Sequence, residues 1–306
     1  MQRVFIELSL DLDRLRRAGY IARVVLEDAS RIVKPGSKLI DIAQYIENRI
    51  RELGGEPAFP VNIGVNDIAA HYTPVFNDQL VIPDNSVVKI DVGVHIDGYI
   101  ADTALTISFN PIYEGLVEAS RRALEKVIEF VKPGVKTGFL GKVIEETISS
   151  MGYKVIKNLG GHGIERYTIH TGVVIPNHHD PFNLHKLTDG VYAIEPFATN
   201  GKGYVRETDT VTIYSLRKYR RAGSDNDTRI LIETIWSSRR TLPFCERWYI
   251  NTLSSPTSVR KAIESLDRMG LIHRYPVLVE IGGGMVSQFE HTFVIHEREV
   301  YVTTLK

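Results

Sequence analysis

Only one cysteine, Cys245, occurs in 306 residues, so no intrachain disulfide can form and a reducing compartment is the natural setting. An excess of either charge is also missing. Lys and Arg total 37 and Asp and Glu total 37, which removes the electrostatic case for a specific nucleic-acid partner. No apolar run approaches the roughly 18 residues of a membrane span. The amino-terminal stretch MQRVFIELSLDLDRLRRAGY lacks the unbroken apolar core of a secretory signal. These absences lead to the expectation of a soluble, cytoplasmic protein with no membrane contact. Material for a core is abundant: 43% of residues are apolar, enough for one large domain or two smaller ones.

The chain contains an internal repeat. Val33–Gly55 reads VKPGSKLIDIAQYIENRIRELGG and Val131–Tyr153 reads VKPGVKTGFLGKVIEETISSMGY, with nine of 23 positions identical at an offset of 98. Each copy is a Pro-Gly turn followed by an amphipathic helix. Ile42, Tyr45, Ile46, Ile50 and Leu53 recur at helical spacing in the first, and Leu140, Val143, Ile144, Ile148 and Met151 in the second. Gly54 and Gly152 suit the left-handed residue that closes a helix. Strand and turn patterns follow each copy, with His71 and His170 at an offset of 99. Two hairpin-like stretches come later, Val87–Phe109 and Val191–Leu216. The expected architecture is α+β, two repeated helix–strand halves with a site between them. Chance similarity of two helices is the alternative, and the four consecutive identities at VKPG weigh against it.

The texture changes after Leu216. Arg217–Arg221 is basic, Asp227–Arg239 suits a helix, and Ser255-Pro256 supplies an N-cap with proline at the first helical position. Val259, Ala262, Ile263, Leu266 and Met269 then form an apolar stripe closed by Gly270. Residues 217–274 read as a mainly helical insertion in a body made of residues 1–216 and 275–306. Two helices and basic residues also fit a helix-turn-helix reader, but no base-contacting residue is identifiable.

The sharpest local signal is VVKIDVGVHIDGYIADTALTISF. Val88, Ile90, Val92 and Val94 alternate with Asp91, Gly93 and His95, giving a strand with two distinct faces. Asp97-Gly98 is a strong type I′ hairpin turn. With those two residues as the loop, Ile96 faces Tyr99 and Asp102 faces Gly93. Asp91 and Asp102 then become diagonal neighbours roughly 7–8 Å apart at the backbone. Two carboxylates that converge in a buried place repel unless a cation or proton intervenes. Either aspartate could instead cap a turn or face water, and the hairpin alone leaves both readings open.

Three further segments favour a metal. NLGGHGIERYTIHTG sets His162 among glycines that let the backbone approach a site closely. Glu195 interrupts the apolar strand VYAIEPFA. Glu290 interrupts SQFEHTFVIH, where Phe289, Phe293 and Ile295 mark the opposite face. An acidic residue in an apolar strand needs a partner. Of the ten histidines, His178, His179 and His185 fall in a polar loop and His273 in the insertion, so these read as ordinary, as do His95 and His296.

In this order Asp91, Asp102, His162, Glu195 and Glu290 resemble the five-ligand set of methionine aminopeptidases, within the creatinase or pita-bread family. GHGIERYTIHTG, AIEPFAT and QFEHT are similar to the type II branch in particular, as is the insertion, which by this resemblance is winged-helix-like. The likeness spans nearly the whole chain. Without a long charged amino-terminal extension, it is the compact archaeal form that the chain resembles. The resemblance implies removal of the initiator methionine from nascent chains and peptides with a small second residue, by a cytoplasmic monomer in transient contact with the ribosome. Asp91 would chelate one metal, Asp102 and Glu290 would bridge two, and His162 with Glu195 would complete the second site. His71 and His170 match the family's non-ligand histidines, of which a neutral ring would donate to the oxyanion, and Glu290 would relay a proton. Phe59, Pro60 and Ile169 match parts of the methionine pocket. The expected cofactor is a pair of divalent ions, Co, Mn, Fe or Zn, since one imidazole among oxygens suits all four. Four carboxylates and two such ions are formally neutral together. Ions about 3.5–4 Å apart would share and acidify a water. Two rivals are a proline-directed peptidase of the prolidase or aminopeptidase P type, and a non-enzymatic interaction protein of the same fold.

Overall fold

The computed structural model describes residues 10–220 and 225–306, so much of the stretch read for a secretory signal, and Arg221 of the basic run, lie outside the described residues. Helices α1 (Leu12–Ile32) and α2 (Leu39–Glu52) belong to the first half, α3 (Glu114–Ile128) and α4 (Thr137–Ser150) to the second. Both ends of α4 fall 98 residues after the ends of α2, the spacing of the repeat. The turns repeat as well. Gly36 and Gly134 have φ of 82° and 81°, and Gly54 and Gly152 have 84° and 85°. Past each closing glycine the next amide reaches back to a helical carbonyl, Gly55 to Ile50 at 3.0 Å and Tyr153 to Ile148 at 3.3 Å.

The apolar faces bury as their spacing dictates. Ile42, Ile46 and Ile50 join α1 and the strand residues Val88, Ile90, Val92 and Val94 in one core. Leu140, Ile144 and Ile148 join α3, Ile194, Phe293 and Ile295 in another. Tyr45, assigned to the first stripe from its spacing, is instead 39% exposed. A third cluster, with Phe59, Ile164, Ile169, Val191, Leu242 and Val294, joins the two halves to the insertion. The molecule is therefore α+β in the expected two-copy form. Among the described residues no helix is long and apolar enough to cross a membrane.

Val87–Ile96 and Tyr99–Ser108 form the first expected hairpin. The second is not one. Gly190–Ile194 pairs with Gly160–Ile164 and His291–His296, Phe197–Thr199 pairs with other strands, and Val205–Leu216 pairs with Ile272–Glu280. Between those last two strands lies the helical segment, with α5 (Asn226–Arg239) and α6 (Pro256–Arg268). Ser255 caps α6 by accepting from the Ser258 amide at 3.1 Å, with Pro256 at the first turn. Val259, Ala262, Ile263 and Leu266 are buried in a separate small core, whereas Met269 is 41% exposed.

The helical segment is tied to the body by two buried arginines. Arg247 donates to Glu47 of α2 at 3.0 Å, to the Thr73 hydroxyl at 3.0 Å and to the Pro74 carbonyl at 3.0 Å. Trp248 also donates to Glu47, at 2.8 Å. Arg239 donates to the carbonyls of Pro57 at 2.6 Å and Ala58 at 3.1 Å and lies 4.3 Å from the Trp248 ring centroid. Glu47 is 2% exposed and Arg247 6%. Arg247→Met leaves a buried carboxylate without its cation and is expected to cost about 3–5 kcal/mol. Glu47→Gln combined with Arg247→Met removes that charge and should recover part of the loss, as read by urea unfolding.

Candidate metal centre

Asp97 and Gly98 have φ of 49° and 84°, the pair of left-handed residues that a type I′ turn requires. The turn fixes the register, with Gly93 opposite Asp102 and Asp91 opposite Ala104. A side chain at Gly93 would stand 2.3 Å from the Phe59 ring, so glycine here lets that ring lie beside the two aspartates. Glu290 docks on the same hairpin: its amide donates to the Ala104 carbonyl at 3.1 Å, and the Thr103 hydroxyl donates to the Glu290 carbonyl at 2.8 Å. The other half supplies His162 from Gly160–Ile164 and Glu195 from the break after Gly190–Ile194, where Pro196 interrupts pairing.

These side chains converge. His162 Nε2 is 3.7 Å from Asp102 Oδ2 and 4.0 Å from Glu195 Oε1. Ligand atoms of Asp102, His162 and Glu290 all lie within 4.8 Å of one another. Gln288, which the sequence reading passed over, donates to Glu195 at 3.2 Å and Glu290 at 3.1 Å, holding the two glutamates together. Its signal was the strand period, since it lies two residues before Glu290 on the same face.

Burial pushes the Asp91 carboxyl up to about 7. Asp102, Glu195 and Glu290 are raised well above the usual carboxylate range, first by burial and then by one another. Burial also holds the His162 ring neutral, with its pKa lowered to about 3. Asp91 Oδ1, Asp102 Oδ1, Glu290 Oε1 and His162 Nδ1 are buried without a hydrogen-bond partner among the described residues. Acceptors crowded together with unpaired lone pairs fit divalent cations, which would supply the missing charge.

A folded-state value of about 7 for Asp91, above its ordinary 3.8, means that the chelated protein retains a proton which the unfolded chain releases. That contribution is lost as pH rises between the two values, whereas a cation takes the proton's place. The gap in Tm between metal-loaded and chelated protein should therefore widen from about pH 5 to about pH 8. A gap that narrows with pH would refute the cluster as the metal's place.

The five residues line one cavity of about 540 Å³ together with His71, His170, Phe59 and Ile169. Pro60 is not among its lining residues; it is buried, and its carbonyl accepts from Asn62 instead. His71 adopts φ of 66°, and its Nδ1 is 3.2 Å from the Pro276 carbonyl. A carbonyl only accepts, so Nδ1 carries the proton of the neutral ring and Nε2 is left as an acceptor. Burial lowers the pKa to about 4 and keeps that ring neutral. Of the two histidines from which an oxyanion donor was expected, this tautomer leaves His170 as the one able to serve. His170 lies with its ring 4.3 Å from that of His162. Tyr275 and Asn62 also line the cavity and were not singled out from sequence, and His178, read there as an ordinary loop histidine, lines it too.

Buried acidic and imidazole side chains from both halves of the chain line one cavity, and the fold that gathers them is the pita-bread fold of metallopeptidases. The chain belongs to metallopeptidase family M24, whose model matches residues 13–215. A methionine aminopeptidase of Pyrococcus horikoshii is 46% identical over 299 residues, covering 96% of this chain and 100% of the relative. Two solved structures share the fold. A thermophilic Arx1 superposes with a TM-score of 0.82 at 17% identity, covering 95% of this chain and 90% of its own. A methionine aminopeptidase of Thermotoga maritima superposes with a TM-score of 0.70 at 22% identity, covering 98% and 99%. Membership carries dependence on divalent metal.

Proposed function

We propose that the protein hydrolyses the first peptide bond of chains that begin with methionine. It is a metallo-exopeptidase, a hydrolase of the methionyl aminopeptidase type. The observation that carries this reading is the buried carboxylate–imidazole cluster beside an apolar wall, in a chain 46% identical over nearly its full length to a methionine aminopeptidase. A proline-directed activity has no comparable support.

Asp91, Asp102, His162, Glu195 and Glu290 would hold two divalent ions. When bound, the ions supply an acidified water and polarise the scissile carbonyl. The chain's own groups do the rest. Phe59 and Ile169 present an apolar slot in which methionine, long, flexible and unbranched, fits without strain. Proton relay falls to Glu290, which lines the cavity beside Glu195, with Gln288 donating to both carboxylates. His71 offers a lone pair to a substrate N–H, and His170 is the histidine left free to donate. The cytoplasm fits the single buried thiol.

A peptide panel tests the reading. Met-Ala, Met-Gly and Met-Ser peptides should exceed Met-Lys and Met-Phe in kcat/KM, and Leu-Ala should be poor because leucine branches inside the slot. A charged first residue would be buried without a partner and should be rejected. Acetyl-Met-Ala should not turn over. Preference for Xaa-Pro over Met-Ala would place the chain in another branch of this fold.

A further inference from the structure

Asn62 opens the strand Asn62–Val65 and lies directly opposite Asp91 in the register. Antiparallel partners put their side chains on one face of the sheet, so Asn62 shares the face of the carboxylate cluster. It lines the cavity although only 7% exposed. Its Nδ2 donates to the Pro60 carbonyl at 3.0 Å. Because a carbonyl cannot donate, this bond settles which end of the amide is nitrogen and turns Oδ1 to the other side. That oxygen is buried and has no hydrogen-bond partner among the described residues.

A buried amide oxygen without a partner calls for an explanation, and a group that binds in the cavity it lines supplies one. The missing group must be a donor. Asp91, Asp102, Glu195 and Glu290 are acceptors and do not qualify as carboxylates. A thioether has no proton to give and a peptide carbonyl only accepts. Phe59, the wall of the methionine slot, stands three residues away, and its ring lies against Gly93, two residues from Asp91. A group at that junction, between slot and cluster, meets the substrate carbon that bears both the side chain and the α-amine. We propose that Asn62 Oδ1 accepts a hydrogen bond from the α-amine of the first residue, making Asn62 a substrate-binding residue that reads the free amino terminus. The assignment rests on the functional reading above and adds a group outside the ligand set.

The test compares binding of L-methionine, norleucine and desamino-methionine to metal-loaded wild type and Asn62→Ala by calorimetry, with metal content measured in parallel. The variant should bind methionine and norleucine about tenfold more weakly and desamino-methionine within about twofold of wild type. KM for Met-Ala peptides should rise about tenfold with kcat little changed. Equal weakening of all three ligands would mean that Asn62 only shapes the pocket, and would overturn the assignment. So would weakening of methionine alone, which would point to the thioether, or loss of metal from the variant. Should Asn62→Ala not fold, the wild-type structure with methionine bound decides: Oδ1 within about 3.2 Å of the amine supports the assignment, and a separation beyond about 4 Å overturns it. A wild type that binds methionine no better than desamino-methionine would defeat the functional reading itself. Discrimination by wild type that Asn62→Ala retains in full would defeat the assignment alone.

Discussion

Replacing Asp102 with asparagine should lower kcat/KM for a Met-Ala peptide by at least about 10²-fold at limiting metal. Asp102 is 4% exposed, its Oδ1 has no hydrogen-bond partner among the described residues, and its Oδ2 faces His162. Asparagine keeps the size and removes the charge, so a formally neutral cluster becomes cationic and both metal positions weaken. The backbone should not move. The Asp102 amide and carbonyl are both bonded to the Thr292 hydroxyl, at 2.6 and 2.7 Å, which the substitution leaves alone. Metal content and circular dichroism, measured with the rate, separate this outcome from misfolding. An active variant with wild-type metal affinity would show that Asp102 is not a ligand.

His71→Ala should behave in the opposite way, keeping its metal and losing kcat by roughly 10²–10⁴-fold, the range for a positioned proton-transfer or hydrogen-bonding group. The Pro276 carbonyl fixes the ring, and burial keeps it neutral, so the loss should not depend on pH above about 5. Loss of metal, with normal turnover for each ion that remains, would move His71 into the ligand set. His170→Ala tests the other side, and its effect should fall on kcat too if that ring donates to the oxyanion.

Much of this site was legible because its signals are local. Asp97-Gly98 fixes a turn, the turn fixes a register, and the register puts Asp91 and Asp102 on one face. The repeat placed α2 and α4, since a Pro-Gly turn and a helical stripe are written within a few residues. Glu195 and Glu290 stood out as acids in apolar strands. What stayed hidden depends on distant partners. Val205–Leu216 pairs with Ile272–Glu280 across the whole helical segment, so the hairpin-like stretch Val191–Leu216 does not close on itself. Arg239 and Arg247 look like ordinary helix and loop cations, but their acceptors lie more than 170 positions away, at Pro57, Glu47 and Thr73. Pro60 matched a pocket motif and is not among the residues that line the cavity, while Asn62, two residues on, is. The tautomer of His71 follows from a carbonyl 205 positions along the chain.

The carboxylate cluster is the proposed seat of metal-dependent cleavage, and metal titration of exhaustively chelated protein tests this most directly. Manganese or cobalt would be added stepwise to protein assayed at each step with a Met-Ala peptide, binding being followed by calorimetry. No turnover is expected without metal, recovery should track binding, and saturation should come at two ions per chain. Full turnover in verified metal-free protein, or recovery unaffected by Asp102→Asn, would contradict it.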